Sequence, residues 1–282
     1  MSYRETPLIL AFVSDLYFTS RIESVSQKLD FEVQIIERAD EIGLEIPDSA
    51  PRSLVESPER QGAALLDQLT LWHPALIVFD LNNQAIPWPD WIALIKLSPA
   101  TRRIPVLCFG AHMDVKAMDL AKSTGADVVV ARSRFVGALG ELIQKYARRI
   151  DFHALGEACH MPLSEIAVRG LEEFNLGGYF EAHETLEAAW NADDTPGKEL
   201  YRAILQVAVA YLQIERGNYR GAMKMFLRLR QWIDPLPEFC RGVNVEQLRA
   251  DAWQVQEALT KLGAEHIGEF DRGLFKPVLY VR

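Results

Sequence analysis

The sequence predicts two domains: an α/β, doubly wound, five-stranded parallel sheet over residues 1–149, and an all-α helical bundle over residues 164–282. Residues 150–163 read as a linker between them. Three observations carry this. Five short apolar runs alternate with helix-period segments in the first half, the rhythm of a parallel sheet with helices on both faces. Beyond Leu163 that alternation stops and helical periodicity continues almost to the end. The 282 residues suffice for two cores of ordinary size.

In order, "LILAFVS" is an apolar run of strand length, followed by a helix from Tyr17 to Leu29. "FEVQIIE" alternates as a strand. Residues 39–60, rich in Pro, Ser and acid, break the rhythm and read as a loop or insertion. "GAALLDQLTLW" is helical and "ALIVFDL" a buried strand; "PDWIALIKL" is helical and "IPVLCFG" a strand. "VKAMDLAKSTG", "ADVVVA" and "FVGALGELIQKYARR" close the half as helix, strand and helix. In the second half, helices are expected from Ser164 to Phe174, Tyr179 to Asn191, Lys198 to Arg216, Tyr219 to Ile233 and Val245 to Leu262. "NLGGY", "DDTPG", "RGN" and "DPLPE" supply the breaks.

Hydrophobic residues make up 49% of the chain and charged residues 24%, with a net charge of −9. That balance argues against a general nucleic-acid or anionic-membrane binder. No run of about 18 apolar residues is present, so no membrane span is expected. The apolar N-terminal run meets Asp15 directly and lacks a small-residue cleavage site, so it reads as a strand rather than a signal peptide. Three cysteines, Cys108, Cys159 and Cys240, suggest a reducing, cytoplasmic setting without a disulfide framework.

In its order of elements, the stretch from about residue 7 to 149 resembles the receiver domain of bacterial response regulators. Receivers hold Mg²⁺ on an acidic pair after the first strand and accept phosphate on an Asp after the third. A Ser or Thr after the fourth strand and a Lys after the fifth engage the phosphoryl oxygens. The matching positions here are Ser14-Asp15, Asp80, Gly110 and Arg132. One carboxylate fewer weakens a hard-cation site, and the hydroxyl is gone, so the resemblance implies a degenerate receiver that is not a phosphorelay acceptor. Asp80 reads as a strand-end residue that caps a loop, and Asp15 as a similar turn residue, in preference to catalytic roles. Such a scaffold implies self-association or docking to a protein, with residues 126–148 as the candidate face. Trp72, Trp88 and Trp91 read as packing residues, one of which would mark an interface if exposed.

"YFEAHETLEAAW" places His183 and Glu187 at i and i+4. At about 100° per residue, a face centred on His183 takes in Tyr179, Leu186 and Trp190 on one side and Phe180 and Glu187 on the other. An aromatic face packs inward, so His183 and Glu187 are expected to be buried neighbours, with Glu184 on the flank. Buried, they need partners, and Arg202, Gln206 and Gln213 on the next helix, with Lys224 and Arg228 beyond, are the candidates.

"FNLGGYFEAHETLEAAW", "ELYRAILQVAVAYLQIERGNYRGAMKMF" and "RQWIDPLP" resemble, in order and spacing, the family catalogued as domain of unknown function 309. The resemblance runs from about Pro162 to Pro237 and implies the helical fold, with no established activity. Its motif falls on Phe180, His183, Glu184, Glu187, Trp190, Gln206, Gly217 and Asn218.

Three readings of the cluster stay open. His183 and Glu187 could ligate a divalent metal, the one cofactor the residues suggest, although zinc wants three or four ligands. The remainder would come from Glu184, His160, Cys159 or Cys240. The pair could act as acid/base or anchoring groups in a small-molecule site. Or it could be a buried polar knot without a ligand. The overall expectation is a non-enzymatic regulatory or scaffold protein, with an enzyme or metal binder using His183, Glu184 and Glu187 as the alternative.

Overall fold

The computed structural model describes residues 6–42 and 58–281, and the chain divides into two compact units, Met1–Arg149 and Ile150–Arg282. The first runs β1 (Leu8–Phe12), α1 (Leu16–Gln27), β2 (Glu32–Ile36), a 3-10 turn (Ala39–Glu41), α2 (Pro58–Trp72) and β3 (Leu76–Asp80). It continues through α3 (Trp88–Leu97), β4 (Val106–Gly110), α4 (Val115–Ser123), β5 (Val128–Ala131) and α5 (Arg132–Tyr146). All four strand pairings are parallel, in the order β2-β1-β3-β4-β5, the doubly wound order of flavodoxin-like folds.

The central strands β1, β3 and β4 are buried at every position. Alternate residues point to opposite faces, so two cores form. Leu10, Phe12, Ile77 and Phe79 meet α2 and α3 through Leu65, Leu69, Trp91 and Ile95. Ile9, Ala11, Val78 and Phe109 meet α1 and α5 through Phe18, Ile22, Phe135 and Leu139. Trp88 and Trp91 are core residues, and Trp88 Nε1 donates to the Leu81 carbonyl at 3.1 Å. Trp72 packs against the same core half-buried, so none of the three marks an open interface. The loop expected over residues 39–60 lies mostly outside the described residues; within them it begins with the 3-10 turn.

The second unit holds α6 (Phe152–Cys159), α7 (Glu165–Asn175), α8 (Tyr179–Ala192), α9 (Glu199–Glu215), α10 (Tyr219–Ile233), the strands β6 (Phe239–Cys240) and β7 (Val243–Asn244), and α11 (Val245–Leu262). Helix α9 is the buried centre: Leu200, Tyr201, Ile204, Val207, Ala208 and Tyr211 are each at most 1% exposed. Helices α8 and α10 both pack on it. The stretch expected as a linker contains α6, capped by Asp151, whose carboxylate accepts from Ala154 N at 2.9 Å. Leu155 and Cys159 anchor that helix in the core. Beyond α11 the tail returns across the bundle. Asn175 exchanges two hydrogen bonds with the Val278 backbone, at 2.7 and 3.0 Å, and Phe275 stacks on Tyr211 at 4.1 Å. Among the described residues no helix is long and apolar enough to cross a membrane.

Candidate functional site

The strand-end pocket of the first unit is built where β1, β3, β4 and β5 finish. Asp80, the last residue of β3, is 3% exposed. Arg132, the first residue of α5, donates from one guanidinium nitrogen to both of its oxygens, at 3.1 and 3.3 Å. Asn82 N adds a third bond at 3.0 Å. The guanidinium also lies 5.1 Å above the Phe18 ring, a cation–π position. Asp15 is exposed and caps α1, accepting from Tyr17 N at 2.9 Å. Gly110 leaves no spare room, since a Cβ there would stand 3.2 Å from Leu81. The pocket therefore holds one carboxylate, already neutralised by a built-in cation.

The helical cluster is not assembled as expected. Ala182, Leu186 and Ala189, with Tyr179, form the buried stripe of α8. His183 is half-buried, and Glu184 and Glu187 are exposed. Relative to a face centred on His183, the buried stripe is rotated by about 80°. The reason is packing: small alanines let α8 approach its neighbours closely, and Leu186 seats on Gly170, where a Cβ would come within 2.8 Å. Arg202 does not meet His183 or Glu187. It pairs with Glu199 at 3.2 Å and lies between the rings of Trp190 and Trp232, 4.1 Å from each centroid. Gln206 is buried at 7% exposure, Gln213 takes Asn218 as its partner at 2.7 Å, and Arg228 is half-buried on α10. The buried His/Glu knot is thus corrected: His183 is only half-buried and Glu187 is exposed.

The metal reading gains no third ligand. Among the described residues no group of three or more His, Cys, Asp or Glu side chains is placed to hold an ion. Cys159 and Cys240 are joined to each other in a disulfide, which corrects the expectation of no disulfide framework. His160 turns back onto the Gly156 carbonyl at 2.7 Å.

The polar centre that does form lies elsewhere. Residues 240–243 make a two-residue hairpin turn with positive φ at Arg241 (52°) and Gly242 (78°), the geometry that favours Asn-Gly. Gly242 is required here, because a Cβ would strike the Val281 carbonyl at 2.4 Å. Arg241 accepts the strain and turns its guanidinium inward, 5% exposed. It donates to Tyr201 Oη at 2.6 Å and Thr195 Oγ1 at 2.7 Å, and pairs with Asp193 at 2.8 Å. Its amide donates to the Cys159 carbonyl at 2.6 Å. The disulfide and the amide hydrogen bond fasten α6 to the hairpin, and the ion pair ties the hairpin to the turn after α8. Nothing local in "FCRGVN" announces a buried arginine.

Burial, with Glu215 adding to it, pushes the Tyr179 phenol up to about 12, and burial also raises Tyr211. A raised acid favours the folded state below its ordinary value near 10, and that contribution is lost as pH climbs through about 12. Thermal melting is therefore expected to fall across that window, and Tyr179→Phe to flatten the fall. Equal pH slopes for the two proteins would contradict this.

Compared with known proteins, residues 167–225 match the family described as Domain of unknown function (DUF309). An uncharacterized protein of Aquifex aeolicus is 27% identical over 96 residues, covering 34% of this chain and 27% of that protein. The match thus spans about a quarter of that relative's length. Solved structures similar to the first half include a response regulator in red light signaling of R. palustris, at 14% identity and TM-score 0.35 over 49% of this chain and 92% of that one. An orphan response regulator of H. pylori matches at 19% and 0.35, over 51% and 99%, and one from Hahella chejuensis at 14% and 0.38, over 50% and 94%. The first half has a five-stranded parallel sheet in the order β2-β1-β3-β4-β5, and the helical half matches the DUF309 model over residues 167–225.

Proposed function

We propose that the chain is a non-enzymatic regulatory or scaffold protein whose receiver-like half is a docking or self-association module incapable of phosphoryl transfer. The observation that carries this reading is the Arg132–Asp80 ion pair at 3.1 Å. A carboxylate can attack a phosphoryl donor only through a free lone pair beside a bound Mg²⁺. Here the guanidinium already neutralises the carboxylate through both of its oxygens, and Asn82 N takes a further lone pair. Displacing Arg132 leaves a 3%-exposed carboxylate to be re-paired, a cost of about 3–5 kcal/mol if it is not. Asp15, engaged in capping α1, is the one other acid at the matching positions. A permanently neutralised pocket suits a surface held in a single state, and residues 126–148 remain the face proposed for the partner.

Incubation with acetyl phosphate and Mg²⁺ is expected to leave the intact protein unlabelled under conditions that saturate a working receiver. Stoichiometric incorporation abolished by Asp80→Asn would overturn the reading.

A further inference from the structure

Helix pairs α7–α8 and α9–α10 are two copies of one unit. Forty positions apart, Phe174, Gly177, Tyr179 and Ala182 correspond to Ile214, Gly217, Tyr219 and Ala222. The structure keeps the correspondence: Gly177 and Gly217 both turn with positive φ, 82° and 70°, and Ala182 and Ala222 are both fully buried. Repeated helix pairs of this kind stack into faces that serve as extended binding surfaces.

The returning segment, residues 270–281, meets both units at equivalent positions. Asn175 ends α7 and Glu215 ends α9, forty residues on. Val278 N donates to Asn175 Oδ1 at 2.7 Å, and Asn175 Nδ2 donates to the Val278 carbonyl at 3.0 Å. Glu215 pairs with Arg272 at 3.7 Å. Phe275, between those two anchors in sequence, stacks on Tyr211 at 4.1 Å and meets Tyr179 edge-on at 5.8 Å. Past Val278 the segment joins the β6–β7 hairpin. Asn244 N donates to the Leu279 carbonyl and Val281 N to the Gly242 carbonyl, each at 2.9 Å, and Tyr280 bridges Val243 in antiparallel sense.

This is the way a protein surface reads an extended peptide. Main-chain bonds to a sheet edge and to one amide side chain hold the backbone, and alternate side chains go in and out. Val278 is 2% exposed and Leu279 51%. Of residues 270–281, Phe270 and Val278 are buried, Leu274, Phe275 and Tyr280 are half-buried, and the others are exposed. A segment with so few buried anchors belongs to the part of a fold that opens first.

We infer that the face made by α7, α9 and the β6–β7 hairpin is a docking groove for an extended segment of a partner protein, and that residues 270–281 occupy it in cis. The resident segment defines the partner's chemistry: an aromatic residue for the Tyr211 ring and, three positions on, an aliphatic one whose backbone Asn175 grips. Tethering supplies the resident at an effective concentration of about millimolar, so a competitor displaces it by matching both anchors.

The test begins with the full chain, folded intact with a protease site inserted between Ala264 and Glu265, in the exposed turn after α11, and then cut. A labelled peptide of residues 265–282 should replace the cut segment saturably, leaving the circular dichroism spectrum unchanged. The uncut chain should bind the same peptide roughly a hundredfold or more weakly. Phe275→Ala in the peptide should weaken binding roughly tenfold or more, and so should Asn175→Ala in the protein. A peptide with Lys276→Ala, Leu279→Ala and Val281→Ala keeps both anchors and should bind within roughly threefold of the original. A cut segment that never exchanges, or a body that unfolds as it leaves, would overturn the inference by making residues 270–281 an integral part of the bundle. Equal binding to cut and uncut chains would overturn it by placing the peptide elsewhere. The two peptide variants leave the protein untouched, so equal affinities for them would overturn the anchor assignment whether or not Asn175→Ala folds. The phosphorylation experiment bears on the other unit, and its outcome is independent of this one.

Discussion

Arg241→Ala is expected to cost the helical unit about 3–5 kcal/mol, a fall in its thermal midpoint of roughly 10–15 °C for a unit of this size. The guanidinium is 5% exposed and bonded to Tyr201, Thr195 and Asp193. Its removal strands the Asp193 carboxylate, 12% exposed, in a site that no longer answers its charge. Arg241→Gly separates two effects. Glycine takes φ of 52° without strain, so it should recover about 1 kcal/mol of the loss, while the stranded carboxylate remains. Asp193→Asn with Arg241→Gly should recover more, because both charges are then gone. A loss below about 1 kcal/mol for Arg241→Ala would overturn this, because removing one partner of a buried pair leaves the other charge uncompensated.

The second large effect is the disulfide. Cys159 and Cys240 are separated by 81 residues, and closing a loop of that length restricts the unfolded chain by about 4–5 kcal/mol. Cys159→Ala with Cys240→Ala should lower denaturant stability by that order with the slope against denaturant rising, since the unbridged chain exposes more surface. A thiol count decides the premise. In denaturant without reductant, only Cys108 should react, one thiol per chain; three would show that the bridge does not form. The same bridge removes the cysteine argument for a reducing compartment, which rested on the number of cysteines and not on their positions.

Much of the fold was legible because its signals are local. Strands buried on both faces, such as β1, β3 and β4, must be apolar throughout, so they stand out as runs. Helix breaks follow from "NLGG" and "RGN" for equally local reasons. The phase of α8 was not legible. Phe180 and Trp190 put an aromatic signal on one side of the helix, while the inner stripe joins Tyr179 and Leu186 to Ala182 and Ala189, whose burial reflects how closely neighbours approach rather than how apolar they are. That shift of about 80° moved Glu187 from a proposed buried partner to solvent. Arg241 escaped notice for a related reason: an arginine beside a glycine in a turn reads as exposed. Only the return of β6–β7 beside the end of α6 makes it central. Strands of two residues have no periodicity to detect, and α6 was obscured by the Pro, His and Met that follow it. The receiver-like positions were read correctly as residue types, yet their sense depended on Arg132 reaching Asp80 across the strand ends, which spacing does not show.

Asn175 and its grip on Val278 carry a practical consequence for anyone excising the helical half. The stretch by which kinship is detected stops at residue 225, midway along α10, and omits the returning tail, the aromatic lid over Tyr211 and the hairpin bolt. A fragment trimmed to that footprint would open the bundle's interior to water at both ends. The compact unit as the chain itself forms it runs from Ile150 to Arg282.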